Sequence, residues 1–197
     1  MIQKPTLEQL ESIDLSGLEP LLSEGRRNEG IFMRPAGIEH YKLLAWLSTQ
    51  YSGKTLIEVG TLDGMGTIAL SYNSDNRVVS YDIKECSWKC QVPPNAELRI
   101  VDENFYDEIM KSDFVFYDGA HEGKDEEVFL DELLKRDWHG VIVWDDIHLN
   151  KEMERFWDRC LKAGLQCEDW TDLGHGGKSR GTRHSPSRVA GTGIMFL

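Results

Sequence analysis

The sequence predicts an α/β protein with a doubly wound, mostly parallel sheet covered by helices on both faces. Three observations predict it. Short, near-continuous apolar runs of strand length recur along the chain, as strands buried on both faces require. Helix-period segments separate most of them, the alternation that produces parallel crossovers. Two of the runs, Phe114-Val115-Phe116-Tyr117-Asp118 and Val141-Ile142-Val143-Trp144-Asp145-Asp146, end in carboxylates. That puts acids at the carboxyl edge of the strands, where such sheets bind ligands.

Residues 1–37 mix Leu, Glu, Gly and Ser, and Pro5, Pro20 and Gly25-Arg26-Arg27 interrupt any long period, so a helical arm or cap is expected. From residue 38 onward one domain follows. Apolar positions at helical spacing over residues 38–46 give a helix, stopped at Ser52-Gly53 before the strand Thr55-Leu56-Ile57-Glu58-Val59. Strands are expected next at residues 77–82 and 97–101, and then at the two acid-ended runs. Met153, Phe156, Trp157, Cys160 and Leu161 form one apolar helix face, with Gly164 placed to end the helix. Residues 165–170 and 193–197 read as the last two strands. Between them, residues 171–192 are rich in Gly, Ser and Arg and are expected to form a flexible insertion. The six tryptophans read as packing residues.

The chain has 197 residues, with 22 Lys and Arg against 34 Asp and Glu, a net charge of −12. Such a surface repels phosphate backbones and anionic membranes, so no nucleic acid and no membrane partner is expected. No run approaches the roughly 18 apolar residues of a membrane span, and Met1-Ile2-Gln3-Lys4-Pro5 lacks the apolar core of a secretory signal. A cytoplasmic protein is expected, with homo-oligomerisation left open. Cys86, Cys90, Cys160 and Cys167 match neither a paired zinc motif nor a disulfide scaffold and read as free thiols.

If the two acid-ended runs are neighbouring strands, Asp118, Asp145, Asp146 and the imidazole of His121, from Asp118-Gly-Ala-His121, converge. Oxygen donors of this kind suit a hard divalent cation such as Mg²⁺. Read blandly, an Asp at a strand end caps a helix or a turn. After the first strand comes Glu58-Val59-Gly60-Thr61-Leu62-Asp63-Gly64-Met65-Gly66. Its glycine spacing departs from the dinucleotide fingerprint and suits a different nucleoside.

Glu58-x-Gly60-x-x-x-Gly64, followed by Asp82 at the end of the second strand, resembles the class I S-adenosylmethionine-dependent methyltransferases, over about residues 38–170. The resemblance implies a Rossmann-like, seven-stranded sheet with an antiparallel last strand. It also implies that the loop over residues 60–66, including Thr61 and Gly66, holds the methionine portion of the donor, with Glu58 close behind. Asp82 would accept from the ribose hydroxyls, Asn104 would contact the adenine, and Asp118 would border the donor. Asp118-Gly-Ala-His121 with Asp145-Asp146 is similar to the divalent-metal-dependent O-methyltransferases acting on natural-product sugars. By that likeness Asp118, Asp145 and Asp146 hold Mg²⁺ and His121 removes a hydroxyl proton.

The expected activity is therefore methyl transfer from S-adenosyl-L-methionine to a hydroxyl of a small sugar-like or catechol-like acceptor. The alternatives are a metal-independent methyltransferase and a non-catalytic nucleoside-binding or regulatory module.

Overall fold

The structure, a computed structural model, describes residues 2–84, 90–175 and 190–197. Seven strands form one sheet: β1 (Thr55–Val59), β2 (Arg77–Asp82), β3 (Ala96–Ile100), β4 (Phe114–Tyr117), β5 (Val141–Asp145), β6 (Gln166–Asp169) and β7 (Thr192–Phe196). Their order is β3-β2-β1-β4-β5-β7-β6. The pairs among β1 to β5 are parallel, and β7 runs antiparallel between β5 and β6. The doubly wound, seven-stranded sheet with a reversed last strand is as expected.

The chain order turns back between β1 and β4, and a crevice opens at such a reversal. Register fixes what faces it. Val59 pairs with Tyr117 and Tyr117 with Trp144, so Gly60, Asp118 and Asp145 leave neighbouring strands at the same level.

Side chains alternate across a strand, and this divides the core in two. Leu56, Phe114, Phe116 and Val143 pack under α3 (Tyr41–Thr49) and α4 (Met65–Leu70). Ile57, Val115, Tyr117, Ile142 and Trp144 pack under α5 (Phe105–Ile109), α6 (Lys124–Lys135) and α7 (Lys151–Lys162). The same alternation sends Glu58 and Asp145 to the α3 side.

In α7 the Asn150 side chain caps the first turn by accepting from the Met153 amide at 2.9 Å, acids occupy the first turn and bases the last. Gly164, at φ +75°, ends the helix. Met153, Phe156, Trp157 and Cys160 are buried, contributing on the order of 1.5–3 kcal/mol for each large side chain. Leu161, expected on the same face, is 49% exposed because it lies at its margin.

The N-terminal segment contains the short helices α1 (Leu7–Glu11) and α2 (Glu24–Asn28). It is not a separate body: Leu10, Leu15, Leu22, Ile31 and Phe32 are buried in the α3-side core. Trp138, Trp144, Trp157 and Trp170 are packing residues, whereas Trp88 lies outside the described residues. So does most of the insertion, residues 176–189, with its four basic side chains. No helix among the described residues is long and apolar enough to cross a membrane.

Candidate functional site

The loop after β1 is shaped by close approaches within the protein. Gly60 has φ +95° and donates its N–H to the Tyr81 carbonyl at 2.8 Å; a Cβ there would run into the Asp118 carbonyl. A Cβ at Gly66 would run into the Glu58 carboxylate, and Gly64, at φ +88°, starts α4. Glu58 is buried below the loop and accepts from the hydroxyls of Thr67 and Ser80, while Ser80 also meets the Thr61 hydroxyl at 2.7 Å. These side chains hold the loop from beneath.

Burial pushes the Glu58 carboxyl up to about 8, against the opposing pull of the Ser80 and Thr67 hydrogen bonds. An acid with a raised folded pKa binds more protons folded than unfolded. Its contribution is therefore complete below the unfolded value and is lost as pH rises between about 4.5 and 8. Glu58→Gln is expected to flatten the stability–pH curve in that window, with wild type losing up to about 1.4 kcal/mol per unit there. Urea unfolding at a series of pH values measures it, and equal slopes for both proteins would refute it.

Asp82 pins the loop from the side. One carboxylate oxygen accepts from the amides of Thr61 at 3.1 Å and Leu62 at 3.3 Å, the other from Lys84 at 3.4 Å. It borders a cavity of about 450 Å³ together with Val59, Gly60, Tyr81, Ile83, Val101, Tyr117 and residues 118–121. Leu62 and Ile83 stand at its mouth, 72% and 83% exposed. Of the residues expected to hold a donor, Gly60, Asp82 and Asp118 line this cavity, whereas Glu58, Thr61, Gly64 and Gly66 support it from behind. Asn104 does not reach it: it is exposed at the start of α5, with its amide donating to Asp102 at 2.9 Å. Val101 and Ile83 do line it.

A second cavity of about 770 Å³ adjoins the acid edge. Arg26, Arg34, Glu39, His40 and Tyr41 line it on one side, and Asp118, Asp145, Asp146 and His175 on the other. Asp118 borders both cavities. Arg26 reaches Asp63 at 2.6 Å, tying the N-terminal segment to the glycine loop, and Arg34 pairs with Glu39.

His121 Nε2 lies 3.1 Å from Asp118 and 3.7 Å from Asp146. Its backbone is clamped, the N–H donating to the buried Glu126 at 3.0 Å and the carbonyl accepting from Asn150 at 2.7 Å. His121, Asp146 and His175 have φ of +54°, +57° and +49°, a left-handed conformation rare outside glycine and held by its surroundings.

The three acids do not form a single cluster. Among the described residues, the groups whose donor atoms lie within 4.8 Å of one another are Asp118, His121 and Asp145, and His40, Asp145 and His175. Asp146 is in neither. Asp146 lies one residue past the end of β5 in a left-handed turn, and its carboxylate is 3.7 Å from His121 Nε2.

His40 was not expected at all. It precedes α3 and continues the buried stripe of Leu43, Leu44 and Leu47 at i, i+3, i+4, i+7, so a polar residue on an apolar helical stripe was the available signal. His148 turns away to Asp169 at 2.8 Å.

Charge explains the titration here. Burial opposes protonation of His121, but the hydrogen bond to Asp118 and the surrounding carboxylates outweigh it and raise it to about 9. His40 is raised to about 9 in the same way, burial being overcome by Asp145, Asp118 and Glu39. Burial and then the neighbouring Asp145 charge push Asp146 up to about 8. Asp145 is held low: burial opposes its charge, and the imidazoles of His175, His40 and His121 overcome it.

Four of the seven buried side-chain polar atoms without a hydrogen-bond partner among the described residues lie here: His40 Nδ1, His121 Nδ1, Asp145 Oδ1 and Asp146 Oδ1. Orphaned donors and acceptors gathered in one place fit a cation or a polar ligand.

No protein-family model matches the chain, and a search of curated proteins returns no match. Solved structures do resemble it. Cofactor-bound Rv0187 from MTB is 18% identical with a TM-score of 0.54, over 80% of this chain and 79% of its own. The SAH-bound methyltransferase PaMTH1 of Podospora anserina is 10% identical, TM-score 0.51, over 80% and 77%. An O-methyltransferase from Bacillus cereus in complex with SAH is 16% identical, TM-score 0.50, over 100% and 93%. The fold is that of the class I S-adenosylmethionine-dependent methyltransferases.

Proposed function

We propose that this chain, built on the methyltransferase fold, moves the methyl group of S-adenosylmethionine to a hydroxyl of a small molecule with the help of a divalent cation. The meeting of two cavities at Asp118 carries the reading. The smaller one, with Asp82 facing ribose hydroxyls and Ile83 and Val101 beside the adenine, suits the donor. The larger, acid-lined one suits the acceptor, and a sugar or catechol with two adjacent oxygens fits its size and chemistry.

Asp118 and Asp145 would hold the cation, with Asp146, whose buried Oδ1 is unpartnered, at its margin. Mg²⁺ is the ion that the sequence motif implies. A bound dication lowers the pKa of a coordinated hydroxyl. His121 then takes the hydroxyl proton, the acceptor oxygen forms its bond to the methyl carbon as the carbon–sulfur bond breaks, and S-adenosylhomocysteine leaves with the electron pair. At about 9 the imidazole is protonated at neutral pH and accepts nothing. Once the carboxylates' charge is engaged elsewhere, they no longer hold that proton. Cation binding would thus turn His121 into a base.

The metal-independent alternative has one observation in its favour: three imidazoles already balance part of the acids' charge. Incubating purified protein with S-adenosylmethionine and a panel of vicinal diols and catechols, with and without a strong chelator, separates the readings. A methylated product formed only without chelator is expected. Product in both arms would establish the metal-independent reading, and tight donor binding with no product from any hydroxyl acceptor would overturn O-methyl transfer.

A further inference from the structure

We infer that His40 and His175, with Asp145 between them, form a mixed nitrogen–oxygen metal site, and that its ion is a first-row transition dication rather than Mg²⁺. This rests on the part of the preceding reading that puts a dication on Asp145, and not on methyl transfer.

Asp145 Oδ1 lies 3.4 Å from His40 Nδ1 and 3.8 Å from His175 Nε2, and the donor atoms of all three lie within 4.8 Å of one another. Ligands about 2.0–2.2 Å from a metal sit roughly 3.0–3.4 Å apart. His40 and Asp145 already have that spacing, and His175, on a loop and partly exposed, has a few tenths of an ångström to close towards Asp145. Sheet alternation explains the meeting: Asp145 points to the α3 face, where His40 stands at the head of the helix.

The second observation is unmet bonding. His40 and Asp145 are 3% and 4% exposed, and the two atoms that face each other have no hydrogen-bond partner. A simple ion pair would close to hydrogen-bond distance and alignment. Paired at 3.4 Å without hydrogen-bond alignment, the two buried atoms have the spacing of two ligands of one ion. The His40 ring is fixed by packing on Tyr41, Phe116 and His175, with centroids 4.5, 5.3 and 4.7 Å away, so the site is built before a ligand arrives.

The donor set selects the ion. Mg²⁺ takes oxygen ligands and keeps much of its water. Two imidazoles and one carboxylate suit Mn²⁺, Fe²⁺, Co²⁺, Ni²⁺ or Zn²⁺, with affinity rising along that series to Cu²⁺. The remaining positions open onto the larger cavity.

Co²⁺ is the probe, because its ligand-field absorption reports nitrogen donors directly. Protein stripped with chelator and titrated with Co²⁺ is expected to bind one ion per chain with a nitrogen-type spectrum that excess Mg²⁺ does not remove. His175→Asn, which tolerates the left-handed backbone there, and His40→Gln are each expected to weaken binding at least tenfold, with thermal melting confirming that both variants are folded. His175→Asn, at a partly exposed position, decides the matter if His40→Gln does not fold. Displacement by Mg²⁺, or Co²⁺ affinity unchanged in the folded histidine variants, overturns the inference. If Asp118→Asn alone abolishes binding, the ion sits on the carboxylates, which overturns this site while leaving the proposed function standing. No binding of any dication would end both this inference and metal assistance, and a separate calorimetric titration with S-adenosylhomocysteine would then show whether the donor site survives.

Discussion

His121→Asn is expected to reduce turnover by about 10²–10⁴-fold while leaving donor affinity within a few-fold of wild type. Asn is the informative replacement because it tolerates the left-handed backbone that His121 adopts at φ +54°, where Ala would add strain. It also keeps the amide that donates to Glu126 and the carbonyl that accepts from Asn150. The loss should therefore fall on kcat, with the KM for S-adenosylmethionine little changed. Steady-state kinetics with the true acceptor and calorimetry with S-adenosylhomocysteine make the comparison. Undiminished kcat would remove His121 from proton transfer, and a collapse of donor affinity would reassign it to the donor cavity that it also lines.

Asp145→Asn is expected to have the largest effect on the folded protein. The carboxylate is 4% exposed and faces His40, His175 and His121. A neutral amide leaves buried positive charge without its partner, a change that costs about 3–5 kcal/mol where it has been measured. His40 supplies the sign of the pH dependence. Its pKa rises from 6.5 to about 9 in the folded state, so its contribution is fully present below 6.5 and is lost as pH rises through 9. In the presence of chelator, the deficit of Asp145→Asn should thus be on the order of 3 kcal/mol near pH 6 and should shrink towards pH 9. Denaturant unfolding at both pH values tests this; a deficit that grows with pH would contradict the assigned charges.

The sheet was legible because its strands are short apolar runs whose ends carry the marks of turns and ligand edges. Asp118 and Asp145 followed from that, since residues at the same level of adjacent parallel strands must meet. Asp146 follows the end of β5 in a left-handed turn, so its carboxylate comes to 3.7 Å from His121 while Asp145 faces His40 and His175. The left-handed conformations of His121, Asp146 and His175 fall on residue types that visit that region more often than most, a signal too weak to place them. Asn104 rests on sequence position alone; it is exposed and outside the smaller cavity, which Val101 and Ile83 line. The contribution of the N-terminal segment, Arg26 and Arg34 above all, depends on long-range packing that no local pattern encodes. His40 could have been found, as the one polar residue on an otherwise apolar stripe.

The contact between Gly60 and the Asp118 carbonyl has a thermodynamic consequence. With no side chain between them, the loop that borders the smaller cavity and the strand end that carries the acid rest directly on one another. If a donor in one cavity changes the affinity for a cation in the other by some factor, the cation must change the donor's affinity by that same factor. Order of addition then matters to the rate at which the loaded protein assembles, but not to its final occupancy. A single glycine contact is thus the place where two such binding equilibria would be linked.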